Sequence, residues 1–268
     1  MDLHERYTHG HHESVLRSHS WRTVDNSAAY LRPYLKAGAK VLDVGSGPGT
    51  ITVDLAKRVD PGEVVGIDSS REIVAQASAL AATSGARNVR FEIGDAYHLD
   101  AEDDTFDVVH AHQVLQHVAD PVAVLAEFRR VTKPGGVVAA RDVDWGGTMW
   151  APMLPGLADW MRINQAVQRY NGGEPFAGRY LKRWALQAGF DSIDSSASIW
   201  CFASDDERSW WGESWSVRAT ESDFGRHALD ARIADEAVLR SVAAAWLEWS
   251  MSNDGWYAMP HGEIIAHV

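Results

Sequence analysis

The chain is short of cysteine, of basic runs and of long apolar stretches, and each shortage closes off a class of protein. Its 268 residues include one cysteine, Cys201, so no internal disulfide can form, which fits a reducing compartment. Cys201 lies in the strand-like run Ser-Ile-Trp-Cys-Phe, where a buried structural thiol is expected rather than a nucleophile. Lysine and arginine number 25 against 37 acids, giving a formal net charge of −12, and basic runs stay at two residues or fewer. A protein that neutralises many phosphates needs clustered Lys and Arg. Neither a nucleic acid nor an anionic membrane surface is therefore the expected partner. No apolar run reaches the roughly 18 residues that span a bilayer. The polar segment Met1–Ser14 lacks the apolar core of a signal peptide, and a cytoplasmic location is expected.

What is present is a globular composition, 46% hydrophobic and 23% charged, enough for one large domain or one domain with an elaborated cap. Short apolar runs alternate with helical patterns. Strands are expected at 40–44, 64–67, 89–93, 106–111 and 137–141, and helices at 50–59, 70–83 and from Asp120-Pro121 onward, with Asp as N-cap and Pro at the first helical position. Lys133-Pro134-Gly135-Gly136 reads as the turn before the fifth strand. Such alternation means a parallel, doubly wound α/β sheet, with its ligand outside the strand carboxyl ends. Residues 20–36 show helical spacing. After Val143 the rhythm breaks into helical stretches at 155–170, 179–188, 206–219 and 230–248, and strand-like ones at 191–202 and 255–267. Of twelve tryptophans, all but Trp21 lie at or beyond Trp145, so 145–180 and 205–250 read as cap segments.

The most informative stretch is Val41-Leu-Asp-Val-Gly-Ser-Gly-Pro-Gly-Thr50. Glycines at a strand-to-helix turn let the backbone approach a ligand closely. The spacing is G-x-G-x-G, and Asp43 stands two residues before the first glycine. A carboxylate there would repel a pyrophosphate but welcome an α-ammonium group, which favours S-adenosylmethionine over a nicotinamide dinucleotide. The second strand ends in Asp68, about 20 residues past the glycines, as ribose-hydroxyl recognition requires. The third runs into Gly94-Asp95-Ala96, where Asp95 can accept a hydrogen bond from an adenine amine.

On these motifs, with VVGIDSS, GDAYHLD, FDVVHAHQVLQHVADP and VTKPGG, the chain resembles the class I S-adenosylmethionine-dependent methyltransferases. It is most similar to their ubiquinone/menaquinone-biosynthesis-like branch, strongly over 40–143 and weakly in the flanks. The resemblance implies a Rossmann-like, doubly wound, mostly parallel seven-stranded sheet with helical cap insertions, its last two strands at 191–202 and 255–267. It implies roles for Asp43, Gly45, Ser46, Gly47 and Gly49 around the methionyl part, Asp68 and Ser69 at the ribose and adenine, Asp95 and Ala96 at the adenine, and His112 and Gln113 at the methionine end. Helices before the first strand often close over the cofactor in this family. Residues 1–36 then become a lid, with Arg22 and Tyr7 as cofactor contacts, 37–144 the cofactor-binding core, and 145–268 the completion of the sheet with a substrate cap. The fourth strand lacks the Asn/Asp-Pro-Pro-aromatic motif of enzymes that methylate nucleic-acid amines; that position reads Ala111-His112-Gln113-Val114.

Methyl transfer from a sulfonium is an in-line displacement in which the protein supplies position, dryness and, for some acceptors, a base. Histidine suits that task near neutrality, so His117 and His112 are candidates, with Asp142 and Asp144 as rivals. The cluster His4, His9, His11, His12 and His19 lacks a regular ligand spacing, and no metal site is expected. The cap tryptophans Trp150, Trp160, Trp210, Trp211 and Trp215 point to a small, apolar or aromatic substrate, with S-adenosylhomocysteine as the second product. The alternatives are a cofactor-binding protein on the same fold that transfers no methyl group, and an NAD-dependent oxidoreductase.

Overall fold

The computed structural model describes residues 21–268. Tyr7 and the histidines from His4 to His19 lie outside the described residues. The segment before the sheet is not one helix. It is a four-residue helix α1 (Val24–Ser27) followed by a tight 3-10 stretch, Ala29–Tyr34. Thr23 and Asn26 cap each other reciprocally, and Pro33 supplies no backbone donor. Strand β1 (Val41–Val44) runs into the glycine turn and α2 (Thr50–Val59). Then follow β2 (Val64–Asp68), α3 (Arg71–Ser84), β3 (Val89–Ile93), β4 (Phe106–His112) and α4 (Pro121–Val131), the last capped by Asp120 with Pro121 in its first turn.

Strand β5 covers Thr132–Val143 and so includes the Lys133–Gly136 stretch expected as a turn. The turn chemistry survives as a register shift: Phe106 pairs Thr132, and pairing resumes at Val108 with Val137. Beyond it come β6 (Met149–Ala151), α5 (Pro155–Tyr170), α6 (Ala177–Gln187), β7 (Ser192–Phe202), α7 (Asp205–Glu221), α8 (Asp223–Asp230), α9 (Glu236–Met251) and β8 (Trp256–His267). The helix expected over 230–248 starts only at Glu236, after a turn that follows the end of α8 at Asp230. Arg232 takes a left-handed φ of 56°, and the side chain of Asp235 caps the start of α9.

The sheet order is β3-β2-β1-β4-β5-β8, with β7 on the far edge of β8. Antiparallel β8 lies between β5 and β7, which run parallel to each other. The seven expected strands are joined by the short β6, which pairs with the start of β8. One sheet face packs Val24, Leu31 and α2 residues such as Leu55; the other packs α4 and α6 through Leu125, Phe128 and Leu181. A third core is aromatic: Trp160, Trp215, Trp246, Trp249 and Tyr257 are at most 1% exposed. Period-two alternation in β7 turns Trp200 and Phe202 inward and Cys201 out, so the thiol expected to be buried is exposed. No helix among the described residues is long and apolar enough to cross a membrane.

Candidate active site

A cavity of about 400 Å³ opens along the carboxyl ends of β1, β2, β3 and β4. That is the size of a small-ligand site, at the place where open α/β sheets bind ligands. One half is made by strand ends and turns. Gly45, Gly47 and Gly49 have φ of 67°, 54° and 86°, a left-handed path that other residues rarely follow. A Cβ at Gly45 would stand 2.4 Å from Val114 Cγ2. Gly45, Ser46 and Gly47 line the cavity, whereas Gly49 does not; it begins α2 against the Phe91 ring. The Ser46 hydroxyl is buried with no hydrogen-bond partner among the described residues. A buried hydroxyl in that state is unfavourable unless a ligand or water completes it, which fits a polar cofactor laid over this turn.

The three acids reach this half in different states. Asp43, 3% exposed, accepts from Thr52 Oγ1 at 2.6 Å and lies 2.7 Å from His110 Nδ1. Both its oxygens are engaged, one by α2 and one by β4, so it stands as a buried carboxyl group behind the turn. Asp68 accepts backbone N–H groups from Gly47 at 3.1 Å and Ser70 at 3.0 Å, tying the glycine turn to the end of β2. Asp95 is exposed, accepting from the Tyr97 N–H at 2.9 Å with His98 Nδ1 at 3.3 Å. Ser69 and Ala96 also line the cavity.

Four residues join the two halves. Gln113 follows β4 with φ of 56°, a strained conformation for a non-glycine residue. Its amide oxygen accepts from Arg22 at 2.7 Å, and its amide nitrogen lies 2.9 Å from His261 Nε2. Arg22 also sits over Trp200, 5.5 Å from the ring centroid. His112 is 5% exposed, lies 5.6 Å from the Trp200 ring, and finds no hydrogen-bond partner for either ring nitrogen among the described residues. Burial first, then the nearby Arg22 and Arg141 guanidiniums, holds His112 well below the usual imidazole range. His117 lines the cavity too, and burial together with Arg22 pushes it down to about 3. A neutral imidazole facing arginine gains little by taking a proton, so the role of general base expected of His117 is at odds with its surroundings.

Asp142 and Asp144 stand away from the cavity wall. Asp142 is fully buried behind the loop after β4, accepting the Gln116 N–H at 3.1 Å, and desolvation pushes it up to about 7. Asp144 forms an ion pair with Arg179 and caps the turn at Trp145. Neither is placed to touch a ligand there. The described residues contain no cluster of three or more metal-ligating side chains.

The other half is aromatic. Trp21, Trp145, Trp200, Trp210, Trp211 and Trp215 line it, with Met259 and Arg218. Three of the five cap tryptophans expected here arrive. Trp160 is instead packed at 0% exposure, 4.7 Å from the Trp215 ring, and Trp150 lies against the aromatic core. Sequence reasoning missed Trp21, Trp145, Trp200, Met259 and Arg218 as wall residues. The spacing of Trp211, Trp215 and Arg218 at i, i+4 and i+7 puts them on one face of α7 and was the available clue.

The family of methyltransferase domains matches residues 35–189. An uncharacterized methyltransferase of Schizosaccharomyces pombe is 37% identical over 97% of this chain and 95% of its own. A ubiquinone/menaquinone biosynthesis C-methyltransferase of Bdellovibrio bacteriovorus is 38% identical, over 38% of this chain and 43% of its own. Among solved structures, a phosphoethanolamine N-methyltransferase of Haemonchus contortus, in complex with phosphomonomethylethanolamine and S-adenosylhomocysteine, superposes with a TM-score of 0.60 at 16% identity, covering 95% of this chain and 57% of that one.

Proposed function

Since this chain belongs to the class I S-adenosylmethionine-dependent methyltransferases, we propose that its methyl acceptor is a small, planar, largely apolar molecule held between the strand ends and the tryptophan wall. The observation that carries this reading is the asymmetry of the cavity, glycine and carboxylate on one side, six indole rings on the other. We read Gly45–Gly47, Asp68, Ser69, Asp95 and Ala96 as the cofactor wall, with Arg22 and Gln113 toward its methionine end. The segment before β1 serves as a wall or lid, 37–144 as the cofactor-binding part, and 145–268 as the rest of the sheet with the cap. A net charge of −12 supports a small molecule rather than a nucleic acid as acceptor.

When bound, S-adenosylmethionine supplies an electrophilic methyl group on a sulfonium. The residues present do the rest. The indole rings exclude water, which would otherwise solvate the nucleophile and raise the displacement barrier. The strained Gln113 and the Arg22 hydrogen bond fix the junction between the halves. Arg22, beside imidazoles held neutral, presents positive charge to an ionised acceptor, so acceptor acidity substitutes for a protein base.

The test is turnover of S-adenosylmethionine to S-adenosylhomocysteine with phenols and naphthols in one panel and small aliphatic amines in another. Transfer confined to the aromatic panel is expected. Transfer to the amines alone would overturn the reading.

A further inference from the structure

The hydrogen bonds behind the cavity junction run in one direction. An arginine side chain donates and never accepts, so the Gln113 atom 2.7 Å from Arg22 Nη2 is the amide oxygen. The amide nitrogen is left to the other side, where His261 Nε2 lies at 2.9 Å. An amide nitrogen only donates, so His261 Nε2 carries no proton and accepts. The other ring nitrogen, Nδ1, lies 3.0 Å from the Met259 carbonyl oxygen, which only accepts, so Nδ1 holds the ring proton. Arg22, Gln113, His261 and Met259 thus form a chain whose links all point the same way. It closes for one state of His261 alone, the neutral ring protonated at Nδ1. A proton on Nε2 would face the Gln113 amide donor, and turning the amide over would set its nitrogen against Arg22. The surroundings suit the neutral ring. His261 is 0% exposed, and burial first, then Arg141 and Arg22, holds it well below the usual imidazole range, against a smaller upward pull from the Met259 carbonyl.

We infer that His261 is a positioning residue for the methionine end of the cofactor, acting through Gln113 by fixing which end of its amide meets Arg22. This rests on the reading of Arg22 and Gln113 as contacts of that end. His261 itself is not among the described residues that line the cavity. It sits where β8 is paired on both sides, opposite Val143 of β5 and Ser198 of β7, so its ring is carried by a strand held from two directions. Arg22 belongs to the segment before β1, outside the sheet. Between them, the backbone N–H of Gln113 donates to the Arg141 carbonyl at 2.7 Å, which holds the main chain but leaves the amide free to turn about its last bond. The two orientations of an amide have nearly the same shape and opposite polarity. The acceptor at His261 Nε2 selects one of them and keeps an oxygen toward Arg22. The position of a sheet strand is thereby passed to a guanidinium that the sheet does not carry. A guanidinium placed in advance meets an anionic ligand group, such as the methionyl carboxylate, without first losing its rotamer freedom.

The experiment has a spectroscopic and a binding arm. In protein labelled with ¹⁵N-histidine, the ring nitrogen shifts of His261, assigned by their loss in His261→Gln, are read between pH 5 and 8. A neutral ring with its proton on Nδ1 is expected throughout; a proton on Nε2 overturns the inference. Gln113→Glu sets a carboxylate oxygen against His261 and should bring a proton to Nε2; an unchanged ring would show that Gln113 and His261 are not coupled. This arm keeps the test open should a His261 variant fail to fold. Calorimetry then measures S-adenosylhomocysteine binding. His261→Leu, which removes the acceptor, should weaken it by about 3- to 10-fold, the span of one rotamer-rich side chain left unplaced. His261→Gln, whose amide oxygen can stand in for Nε2, should recover it to within about twofold. In an Arg22→Met background, with no guanidinium to place, His261→Leu should add nothing, whereas a mere loss of packing would add its full effect. If Arg22→Met weakens binding and His261→Leu does not, the reading of Arg22 as a cofactor contact stands and this inference falls. If Arg22→Met leaves the affinity unchanged, that reading falls and takes this inference with it.

Discussion

On the strand-end side of the cavity the wall is backbone and short carboxylates; on the opposite side it is indole rings and a guanidinium. The first is made by three consecutive strand ends and the turns after them, so its geometry is local: a left-handed glycine path, and an acid that accepts the next turn's N–H groups. The second is assembled from the segment before β1, the turn after β5, β7, β8 and α7, each packed on a separate aromatic core. Substitution should therefore act differently on the two sides. On the strand-end side, which we read as the cofactor wall, it should weaken cofactor binding with little loss of stability. On the tryptophan side the outcome depends on whether the ring faces the cavity or the core behind it.

The largest expected effect tests that last distinction. Trp160→Ala empties the centre of the aromatic core, where its ring meets Trp145, Trp215, Trp246 and Tyr257. Truncation of a buried Trp destabilises by about 3–5 kcal/mol. Trp210→Ala, on a half-buried cavity-wall ring, should lose about 1 kcal/mol or less. Urea unfolding compares them, and equal losses would erase the division between wall and core. Next, Asp68→Ala should weaken S-adenosylhomocysteine binding by roughly 10- to 150-fold, the value of a hydrogen bond to a charged group, with the secondary structure seen by circular dichroism unchanged. Unaltered affinity would leave Asp68 as a brace for the glycine turn alone.

A smaller effect concerns Asp142, behind the boundary between the halves. Its folded value of about 7 stands above its ordinary 3.8, so between those limits the folded protein holds a proton that the unfolded chain has released. The stability this contributes is fully present below about pH 4 and is lost as pH rises through 7, at no more than about 1.4 kcal/mol per pH unit. Asp142→Asn keeps an acceptor for the Gln116 N–H and removes the titration. The variant should therefore gain on the unmodified protein from about pH 4 to pH 7 in thermal unfolding and level off above that. The buried histidines, shifted the other way, contribute equally to both proteins and cancel. A difference that does not change with pH would show that Asp142 is ionised throughout. The smallest effect is expected at His117. His117→Gln should keep turnover within about threefold, where loss of a true general base lowers it by roughly 10²–10⁴. The His117 ring proton should also show no NMR titration between pH 5 and 8.

The same contrast explains what the sequence could reveal. The glycine turn was readable because three left-handed residues in five leave few alternatives to glycine. Asp68 and Asp95 were readable because strand ends in an alternating pattern fall at one sheet edge. The tryptophan wall was not. Helical spacing says that Trp160 and Trp215 face inward, but the same period serves a ring packed on other rings and one that borders a cavity. Trp200 comes from β7, 88 positions from His112, which it touches, and no local pattern encodes that meeting. The setting of the histidines was hidden for a related reason. Position after the fourth strand could be read, but the field at His117 depends on Arg22, and residues 20–36 read as one helix when the chain breaks at Ala28.

Arg22 binds Gln113 on one side and lies over Trp200 on the other. One guanidinium thereby bridges the two halves of the cavity. A ligand that favours one placement of Arg22 changes the surface offered to the other ligand, and thermodynamic linkage makes the exchange symmetrical: the factor by which cofactor alters acceptor affinity equals the factor by which acceptor alters cofactor affinity. Arg22 would thereby couple the two sites equally in both directions, whichever ligand arrives first.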